Sequence, residues 1–494
     1  MTSMSQQPDT DDTIARADTG IPALDHVLCG GFPRNRLYLV EGDPGTGKTT
    51  LGLQFLIAGI AKGETALYVT LSETAEELGA ASVAHGWDLA GIHIHEFIAE
   101  GSLAQDAQYT VFQPSEVELG NTMSGLFESV ERLQPKRVVI DSLAEMRLLA
   151  RDPLRYRRQI LSLKQFFQGR GCTVLMLDDR TFEPSDRQLH SIAHGVVRLE
   201  QLAREYGPSR RRLQVLKIRG SVYREGLHDF VIRKGGLALF PRLVAVEHEH
   251  DARAQTITSG IEGLDALLGG GLETGTTTLI TGPAGAGKSI ITAHYAVTAA
   301  DAGIPITFFV FDEERQTLLK TTESLGIPLR AAIDSGRASI RAVNPAELSP
   351  GEFADLVRVT VERDGAKIVV IDSLNGYLAA MPEENMLGSH LRELFSYLRQ
   401  RNVLTLVTMA MHGILGPMQA SVDVSYLADT VLLLRFYERE ASIHRAISVV
   451  KRRGSNHDKG VRELTIARNA IRITPVTGLH GILTGVPQIR EDPT

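Results

Sequence analysis

The chain has 494 residues, of which 43% are hydrophobic, 22% charged and 6% aromatic, and its formal net charge is −7. This composition is typical of a folded globular protein. It excludes a disordered chain and argues against a surface that binds polyanions in general. The two cysteines exclude a disulfide scaffold and a thiolate zinc site, and they fit a cytoplasmic protein. The sequence contains no apolar run that could span a membrane and no signal peptide, so we expect no membrane association.

Four sequence blocks occur twice, in the same order. The block Thr19–Asp25 recurs as Ser259–Asp265, and the glycine-rich block 42–49 recurs as 282–289. The apolar block 138–143 and the basic block 217–221 recur at 369–374 and 451–455, so the separations lie between 231 and 240 residues. Two copies of one domain explain this pattern. We predict a disordered tail at 1–14, a first domain at 15–246, a second domain at 247–489 and a short tail at 490–494.

Within each copy, short apolar runs alternate with segments compatible with helices. In the first copy the pattern predicts a helix at Thr50–Ile60 and strands at Leu37–Val40, Ala66–Leu71, Arg137–Ile140 and Thr173–Leu177. In the second copy it predicts a strand at Thr277–Thr281 and a helix at Ile290–Ala300. Continuous hydrophobicity is typical of buried parallel strands. The predicted fold class is therefore α/β, with two tandem domains that each contain a mostly parallel sheet flanked by helices.

The glycine-rich block has the pattern Gly-x-x-x-x-Gly-Lys-Ser/Thr in both copies, between a predicted strand and a predicted helix. This is the P-loop, whose backbone N–H groups hold phosphate oxygens at a helix N-terminus. Two matches at equivalent positions cannot be explained as structural turns alone, so we predict that both copies bind a nucleotide. The predicted binding residues are Gly45, Thr46, Gly47, Lys48, Thr49 and Thr50 in the first copy, and Gly285, Ala286, Gly287, Lys288, Ser289 and Ile290 in the second.

Hydroxyl and carboxylate oxygens in both copies predict a magnesium site beside each P-loop. Thr49 and Ser289 supply the P-loop hydroxyl, and Asp141 and Asp372 end apolar strands, where a carboxylate reaches the metal's outer shell. The alternative for an isolated aspartate is a cap on the following helix. Its recurrence beside two P-loops favours the metal role.

A further set of acids follows the neighbouring predicted strand. Glu73 in the first copy corresponds to Glu313 in the second, and Ser72 corresponds to Asp312. A carboxylate at this position orients and deprotonates an attacking water or hydroxyl. Glu73, Asp312 and Glu313 are thus the predicted catalytic residues, with a surface helix start as the alternative explanation.

The order of strand, P-loop, helix, carboxylate strand and Val-Ile-Asp-Ser resembles RecA-like P-loop ATPases. With Gly86–Leu89 and the basic blocks 217–221 and 451–458, the tandem arrangement is similar to the KaiC family of clock-type ATPases and autokinases. This resemblance implies a homohexameric double ring with ATP and Mg²⁺ at subunit interfaces. It also implies that the first ring mainly hydrolyses ATP, whereas the second phosphorylates its own chain.

The resemblance assigns roles to two further sets of residues. Lys217, Arg219, Lys451 and Arg453 would face the neighbouring subunit's nucleotide, although a solvated basic strand end is the simpler alternative. Two adjacent hydroxyl residues accept phosphate in the family, and the matching positions here are Ser425 and Tyr426. A tyrosine stands where the family has a threonine, so Ser425 is the main expected acceptor. The alternative is a loop serine without chemistry.

The sequence also bears on partners. The chain ends shortly after Ile489, whereas clock members carry a longer tail that a KaiA-type activator captures, so KaiA dependence is not expected. A KaiB-like partner remains open. A nucleic-acid-dependent motor of the same superfamily is one alternative function, but the net charge gives it little support. Arg210–Arg212 is expected to be a solvated turn or a subunit contact. A scaffold whose ATP sites only hold the ring together is the other alternative.

Overall fold

The computed structural model describes residues 14–97, 114–150, 152–180, 186–204, 207–245, 253–311, 314–379, 387–411, 424–454, 456–476, 479–480 and 488–489. Contacts divide the chain after Arg242 into two compact units, which we call the first and second repeats. Leu243 and Ala245 pack into a core cluster of the second repeat, together with Phe353 and Leu394.

The first repeat contains eleven strands and seven helices among its described residues. The strands are β1 Arg16–Ala17, β2 Phe32–Pro33, β3 Leu37–Gly42, β4 Ala66–Thr70, β5 Ile92–Glu96, β6 Arg137–Asp141, β7 Thr173–Asp179, β8 Gly195–Leu202, β9 Arg210–Ile218, β10 Leu227–Arg233 and β11 Gly236–Phe240. The helices are α1 Pro22–Val27, α2 Lys48–Ile60, α3 Ala75–His85, α4 Pro114–Leu133, α5 Leu143–Ala150, α6 Pro153–Phe167 and α7 Asp186–Ile192.

The second repeat has a similar order of elements. It differs in a second helix before the strand at the parallel edge of the sheet, a 3₁₀ turn in place of the last helix, and a further pair of short strands at its end. Its strands are β12 Thr256–Ile257, β13 Leu272–Glu273, β14 Thr277–Gly282, β15 Ile306–Val310, β16 Ala338–Ala342, β17 Ile368–Asp372, β18 Leu404–Ala410, β19 Thr430–Arg439, β20 Ser442–Arg452, β21 Arg462–Ala467, β22 Ala470–Pro475, β23 Leu479–His480 and β24 Gln488–Ile489. Its helices are α8 Glu262–Leu267, α9 Lys288–Asp301, α10 Arg315–Ser324, α11 Leu329–Asp334, α12 Pro350–Glu362, α13 Leu374–Ala379 and α14 Leu387–Gln400, with a 3₁₀ turn at Ser425–Leu427.

Each repeat is built on a nine-stranded sheet in the described part of the chain. The order is β5-β4-β6-β7-β3-β8-β9-β10-β11 in the first repeat and β16-β15-β17-β18-β14-β19-β20-β21-β22 in the second. The first six strands of each order are parallel, and the last three are added antiparallel. This confirms the predicted α/β fold, a mostly parallel sheet flanked by helices in two tandem RecA-like domains.

The helices cover both faces of each sheet because each presents an apolar stripe. Helix α2 buries Leu51, Phe55 and Leu56 against one face of the first sheet. On the other face, α6 buries Tyr156, Ile160, Leu163 and Phe167, which are spaced at three and four residues as one side of a helix requires. The central strands, which lie between these layers, are buried along their whole length, as their continuous hydrophobicity predicts.

The basic run Arg210–Arg212 is not a turn. It opens strand β9, where it pairs with β8, and Arg212 also pairs with Asp229 of β10. Arg210 is only 7% exposed, and the Arg212 guanidinium lies 3.4 Å from the carboxylate of Asp229. The expectation of a solvated turn was wrong because pairing with β8 and β10 extends this polar segment.

Candidate functional site

The two P-loops lie at equivalent positions, between β3 and α2 and between β14 and α9. Both helices begin at the P-loop lysine, two residues earlier than predicted, after a glycine with a left-handed backbone: Gly47 at φ 103° and Gly287 at φ 107°. A side chain there would also collide with its surroundings, since a Cβ on Gly47 would lie 2.5 Å from Ile232 and one on Gly287 2.6 Å from Ile466. Glycine is therefore required at both helix starts.

The P-loop lysines differ in their surroundings. Lys48 Nζ donates to the Gly42 and Asp43 carbonyls at 2.9 and 3.1 Å, and it forms an ion pair of 2.7 Å with Asp179 at the end of β7. Lys288 Nζ donates to the Gly282 and Pro283 carbonyls at 3.0 and 2.8 Å. The residue that corresponds to Asp179 is Ala410, because both close the strand beside the P-loop strand.

Burial lowers the pKa of Lys288, and nearby Asp372 only partly offsets this effect. A buried ammonium gains most from an anion placed against it. A phosphate group would supply that anion in the second repeat, and in the first it would compete with a carboxylate.

In the first repeat, the two predicted metal ligands already touch. Thr49 Oγ1 donates a hydrogen bond of 2.7 Å to Asp141 Oδ2, and the buried Tyr68 hydroxyl donates to the same oxygen at 2.5 Å. Asp141 is 8% exposed at the end of β6. A hydroxyl oxygen beside a carboxylate is a donor set that Mg²⁺ prefers, since it usually binds one or two protein oxygens together with substrate phosphates.

The corresponding aspartate of the second repeat has an oxygen without a partner. Thr408 Oγ1 donates to Asp372 Oδ1, whereas Asp372 Oδ2 is buried and has no hydrogen-bond partner among the described residues. Phe308 occupies the place of Tyr68 and offers no hydroxyl. A buried carboxylate oxygen in this state is costly unless a cation or water completes it. The site therefore fits a magnesium ion held by Asp372 and Ser289.

Glu73 stands beyond the end of β4, close to the predicted metal ligand Asp141. Its backbone is fixed by Thr70, whose hydroxyl accepts from the Glu73 N–H at 3.0 Å and donates to the Glu73 carbonyl at 2.6 Å. Helix α3 then starts at a capping box formed by Thr74 and Glu77. Burial, with the charges of Asp141 and Glu77, raises the pKa of Glu73. The other two predicted catalytic residues, Asp312 and Glu313, lie outside the described residues.

A cavity of about 410 Å³ opens beside the second P-loop. The P-loop residues Gly285 and Gly287–Ile290 line one side, and Leu318, Leu325 and Ile466 form an apolar wall. These three side chains belong to or pack against the core cluster on the α9 face of the sheet. The volume is in the range of small-molecule sites, and an apolar wall beside phosphate-binding N–H groups suits the base and phosphates of one nucleotide.

The sequence analysis predicted the P-loop side of this cavity but none of its other lining residues, among them the cationic Arg445. Arg445 lines it and donates from Nε to the Gly285 carbonyl at 3.3 Å, while its guanidinium lies 5.7 Å from the Phe436 ring. Its counterpart is Arg211, because Arg211 pairs with Gln201 as Arg445 pairs with Phe436. Both arginines precede the lysine of the basic block by six residues, and this recurrence was the sequence signal that could have found them.

The predicted interface cations hold backbone carbonyls that precede the last parallel strand. Lys451 Nζ donates to the Ser425 and Ala428 carbonyls at 2.9 and 2.8 Å, and Arg453 donates to the Tyr426 carbonyl at 3.4 Å. The turn that carries Ser425 packs through Val424 and Ala428 into the cluster formed with α12 and α14. This cluster lies on the face of the sheet opposite to α9 and the cavity.

The first repeat has the same arrangement. Lys217 donates to the His190 carbonyl, and Arg219 donates to the Ser191 carbonyl at 2.6 Å. Burial, with Arg219 and Lys164 nearby, lowers the pKa of Lys217. The structure thus brings Lys217 and Arg219 together with α7 and separates them from α2, which covers the other face.

The two predicted acceptor residues differ in exposure. Ser425 is half-buried, whereas Tyr426 is 47% exposed and lies against the start of α14. The Arg392 guanidinium is 5.7 Å from the Tyr426 ring, and a methyl group added to Gly388 would lie 3.4 Å from the tyrosine hydroxyl. The tyrosine hydroxyl is therefore held beside a helix, while the serine lies in the turn that the cations hold.

Two features are absent from the part of the chain that the structure describes. Every helix there is too short or too polar to cross a bilayer. No group of three or more histidine, cysteine or acidic side chains in that part of the chain could hold a metal ion. A magnesium site built from one hydroxyl and one carboxylate is not excluded by the second result, because it relies on nucleotide phosphates.

Comparison with known proteins identifies the family. The family profile described as "ATPase: KaiC" matches residues 17–244 and 257–478, once in each repeat. The Circadian clock protein KaiC3 of Synechocystis sp. is 27% identical over an alignment 491 residues long, which covers 96% of this chain and 95% of that protein. The Circadian clock oscillator proteins KaiC of Acaryochloris marina and Parathermosynechococcus lividus are 27% and 28% identical over 96% of this chain, covering 91% and 88% of their own lengths. The chain belongs to the KaiC family of ATPases.

Proposed function

We propose that this protein binds ATP with Mg²⁺ at both P-loops, hydrolyses it, and transfers phosphate from ATP in the second repeat to Ser425 of a neighbouring chain. The assembly proposed for this transfer is a homohexameric double ring. Asp141 with Thr49 and Asp372 with Ser289 would hold the metal ions, which neutralise phosphate charge when bound. Glu73, and Asp312 with Glu313 in the second repeat, would accept the proton of the attacking hydroxyl.

The observation that carries this proposal is the placement of the acceptor turn across the sheet from the nucleotide cavity. Val424 and Ala428 pack into one face, and the cavity wall of Leu318 and Leu325 belongs to the other. A chain with this arrangement has an acceptor that faces away from its own ATP, so the donor belongs to another copy. Lys451 and Arg453 are fixed cations beside the acceptor, and such cations stabilise charge on a transferred phosphoryl group. They therefore also support phosphoryl transfer to Ser425.

The reaction on Ser425 is a simple displacement. The Ser425 hydroxyl oxygen attacks the γ-phosphorus of ATP, the bond between the γ-phosphorus and the bridging oxygen breaks, and ADP leaves. The hydroxyl proton passes to the carboxylate base. Lys451 and Arg453 fix the acceptor backbone through the carbonyls of Ser425 and Tyr426.

A mixing experiment tests transfer between chains. Ser425→Ala keeps the second P-loop but has no acceptor serine, and Lys288→Ala keeps the serine but lacks the P-loop lysine. Each variant alone is expected to show no phosphate at position 425 after incubation with Mg-ATP. When the two are assembled together, mass spectrometry of isotopically labelled Lys288→Ala chains should find phosphoserine 425.

The controls use the first repeat and the tyrosine. Lys48→Ala should leave phosphorylation of Ser425 in place, because that substitution affects the other P-loop. Phosphate found on Tyr426 in place of Ser425 would contradict the proposed acceptor. ATP consumption without phosphate on either residue would leave an ATPase and refute the autokinase activity.

Assembly and regulation complete the proposal. Light scattering in the presence of ATP should give the mass of six chains, and monomers under the same conditions would refute the ring. The curated relatives are named circadian clock proteins, and a role in signalling or clock-type regulation is proposed here on that basis. A KaiB-like partner is the partner that the family resemblance leaves open. A pull-down with a KaiB-like protein of the same source tests it.

A further inference from the structure

Residues 190 and 191 of the first repeat occupy the positions of Ser425, the proposed acceptor, and of Tyr426, the second acceptor position that the family resemblance predicts. Strand β8 starts at Gly195, which pairs with Tyr38, and β19 starts at Thr430, which pairs with Thr278. Tyr38 and Thr278 are each the second residue of the strand that leads to the P-loop. Counting back from the two strand starts, His190 corresponds to Ser425 and Ser191 corresponds to Tyr426.

The hydrogen bonds confirm this correspondence. Lys217 donates to the carbonyl of His190 as Lys451 does to that of Ser425, and Arg219 donates to the carbonyl of Ser191 as Arg453 does to that of Tyr426. Two cations on equivalent strands therefore hold two consecutive carbonyls in both repeats. The first repeat therefore contains the same pair of cation-to-carbonyl hydrogen bonds that holds Ser425 and Tyr426 in the second repeat.

The side chains of the pair in the first repeat point to different surroundings. His190 Nε2 lies 2.7 Å from Glu41 Oε2, and Glu41 is 5% exposed and also accepts from Arg198 at 2.7 Å. The His190 imidazole is thus paired with the buried carboxylate of Glu41. Ser191, in contrast, is exposed. The hydroxyl residue is the outer member of the pair, and it is much smaller than its counterpart Tyr426.

We propose that Ser191 is a further phosphorylation site, which accepts the γ-phosphoryl group of ATP bound at the first-repeat P-loop of a neighbouring chain. The inference rests on the proposed function, because it requires the same transfer between chains. The Ser191 oxygen attacks the γ-phosphorus, the bond to the ADP oxygen breaks, and Glu73 of the donor chain takes the proton. Lys217 and Arg219 hold the acceptor backbone.

The acceptor peptide is well suited to mass spectrometry. Trypsin releases Gln188–Arg198, in which Ser191 is the only residue with a hydroxyl group. After incubation with Mg-ATP, this peptide should gain one phosphate that is stable in acid. Acid-labile phosphate would identify His190 or His194 as the acceptor and overturn the proposal.

The P-loop variants separate this inference from the proposed function. Lys48→Ala should abolish phosphate on Ser191 and preserve it on Ser425, and Lys288→Ala should do the opposite. Phosphate on Ser425 with an unmodified Gln188–Arg198 peptide in the wild-type protein would refute the Ser191 site alone. Loss of Ser191 phosphate in Lys288→Ala, with retention in Lys48→Ala, would refute the donor assignment.

A conservative pair of substitutions checks the residue itself. Ser191→Ala should remove the phosphate from this peptide completely, and Ser191→Thr, which keeps a hydroxyl, should restore part of it. Equal phosphate on the peptide from wild-type protein and Ser191→Ala would overturn the assignment. Ser425 phosphorylation, read in the same samples, reports whether the rings are assembled and active.

Discussion

The two P-loop sites share one fold but differ in which side chains contact the P-loop lysine and the aspartate that is proposed to bind magnesium. In the first repeat, Asp179 forms an ion pair with Lys48, and Tyr68 and Thr49 donate to Asp141. In the second repeat, Ala410 replaces Asp179, and one oxygen of Asp372 is buried without a partner in the described chain. The first site is balanced by its own side chains, whereas the second leaves the buried Lys288 and one buried oxygen of Asp372 without such a side-chain partner in the described chain. The two repeats thus share the P-loop but differ in the charged and polar groups around it.

The largest effects should come from the P-loop lysines. Lys48→Ala and Lys288→Ala each remove an ammonium that contacts phosphate, so each should weaken ATP binding in one repeat by about a hundredfold or more. Equilibrium dialysis with a non-hydrolysable ATP analogue should then give one tight site per chain. Two tight sites in either variant would contradict the site assignment.

The catalytic acids should give the next largest effect. In the Lys288→Ala background, Glu73→Gln should lower ATP turnover of the first repeat by about a hundredfold, because it removes the base. In the Lys48→Ala background, Asp312→Asn with Glu313→Gln should do the same for the second repeat. Unchanged turnover in both backgrounds would favour a scaffold over an enzyme.

The pH dependence sharpens the test of Glu73. Burial and the charges of Asp141 and Glu77 raise the pKa of this carboxyl above the usual value of about 4.3. A base acts in its deprotonated form, so turnover in the first repeat should fall as the pH drops through the raised pKa. Glu73→Gln should abolish this acidic limb of the pH profile. An acidic limb at the ordinary glutamate pKa would contradict the assignment.

A reciprocal exchange tests the role of Asp179. Asp179→Ala removes an anion that competes with phosphate for Lys48 and should raise ATP affinity in the first repeat by about three- to tenfold. Ala410→Asp should lower affinity in the second repeat by a similar factor. Titration in the Lys288→Ala and Lys48→Ala backgrounds reads each site separately. Asp179→Asn, which keeps the size but not the charge, should behave like Asp179→Ala.

The smallest effect is expected for the hydroxyl on Asp141. Tyr68→Phe removes a buried hydrogen bond and should destabilise the first repeat by only about 0.5 kcal/mol, because Thr49 still donates to the same Asp141 oxygen. Phe308→Tyr should stabilise the nucleotide-free second repeat by bringing a donor to Asp372. Hydrogen exchange resolved by repeat measures both. A loss of stability in Phe308→Tyr would show that the unpartnered oxygen is not within reach of that hydroxyl.

The sequence predicted the features that depend on local pattern. Glycines before Lys48 and Lys288 predicted the P-loops, and continuous apolar runs predicted the parallel strands. The predicted helix starts were two residues late, because a helix beginning at the P-loop lysine depends on the left-handed glycine before it. Propensity alone does not contain that information.

Features that depend on tertiary contact were not predictable. The pairing of Lys48 with Asp179 joins two residues 131 positions apart, and the commitment of His190 to Glu41 depends on how α7 packs. Arg445 could have been found, because an arginine precedes the basic block by six residues in both copies. The basic run Arg210–Arg212 was misjudged because its charge suggested a solvated turn, whereas it pairs with β8, and its last two residues pair with β10 as well. Arg210 is buried as a result.

The sheet that separates the nucleotide cavity from the Ser425 turn makes each repeat a directional unit. Under the proposed transfer, one face carries the phosphoryl donor and the opposite face the acceptor, so two chains in head-to-tail contact leave one donor and one acceptor unused. Such head-to-tail contacts either close into a ring or continue as a filament. Only closure into a ring brings every donor face against an acceptor face. A phosphorylated residue would then show that its chain had been in contact with a neighbour. The amount of phosphorylated residue would depend on protein concentration as well as on time.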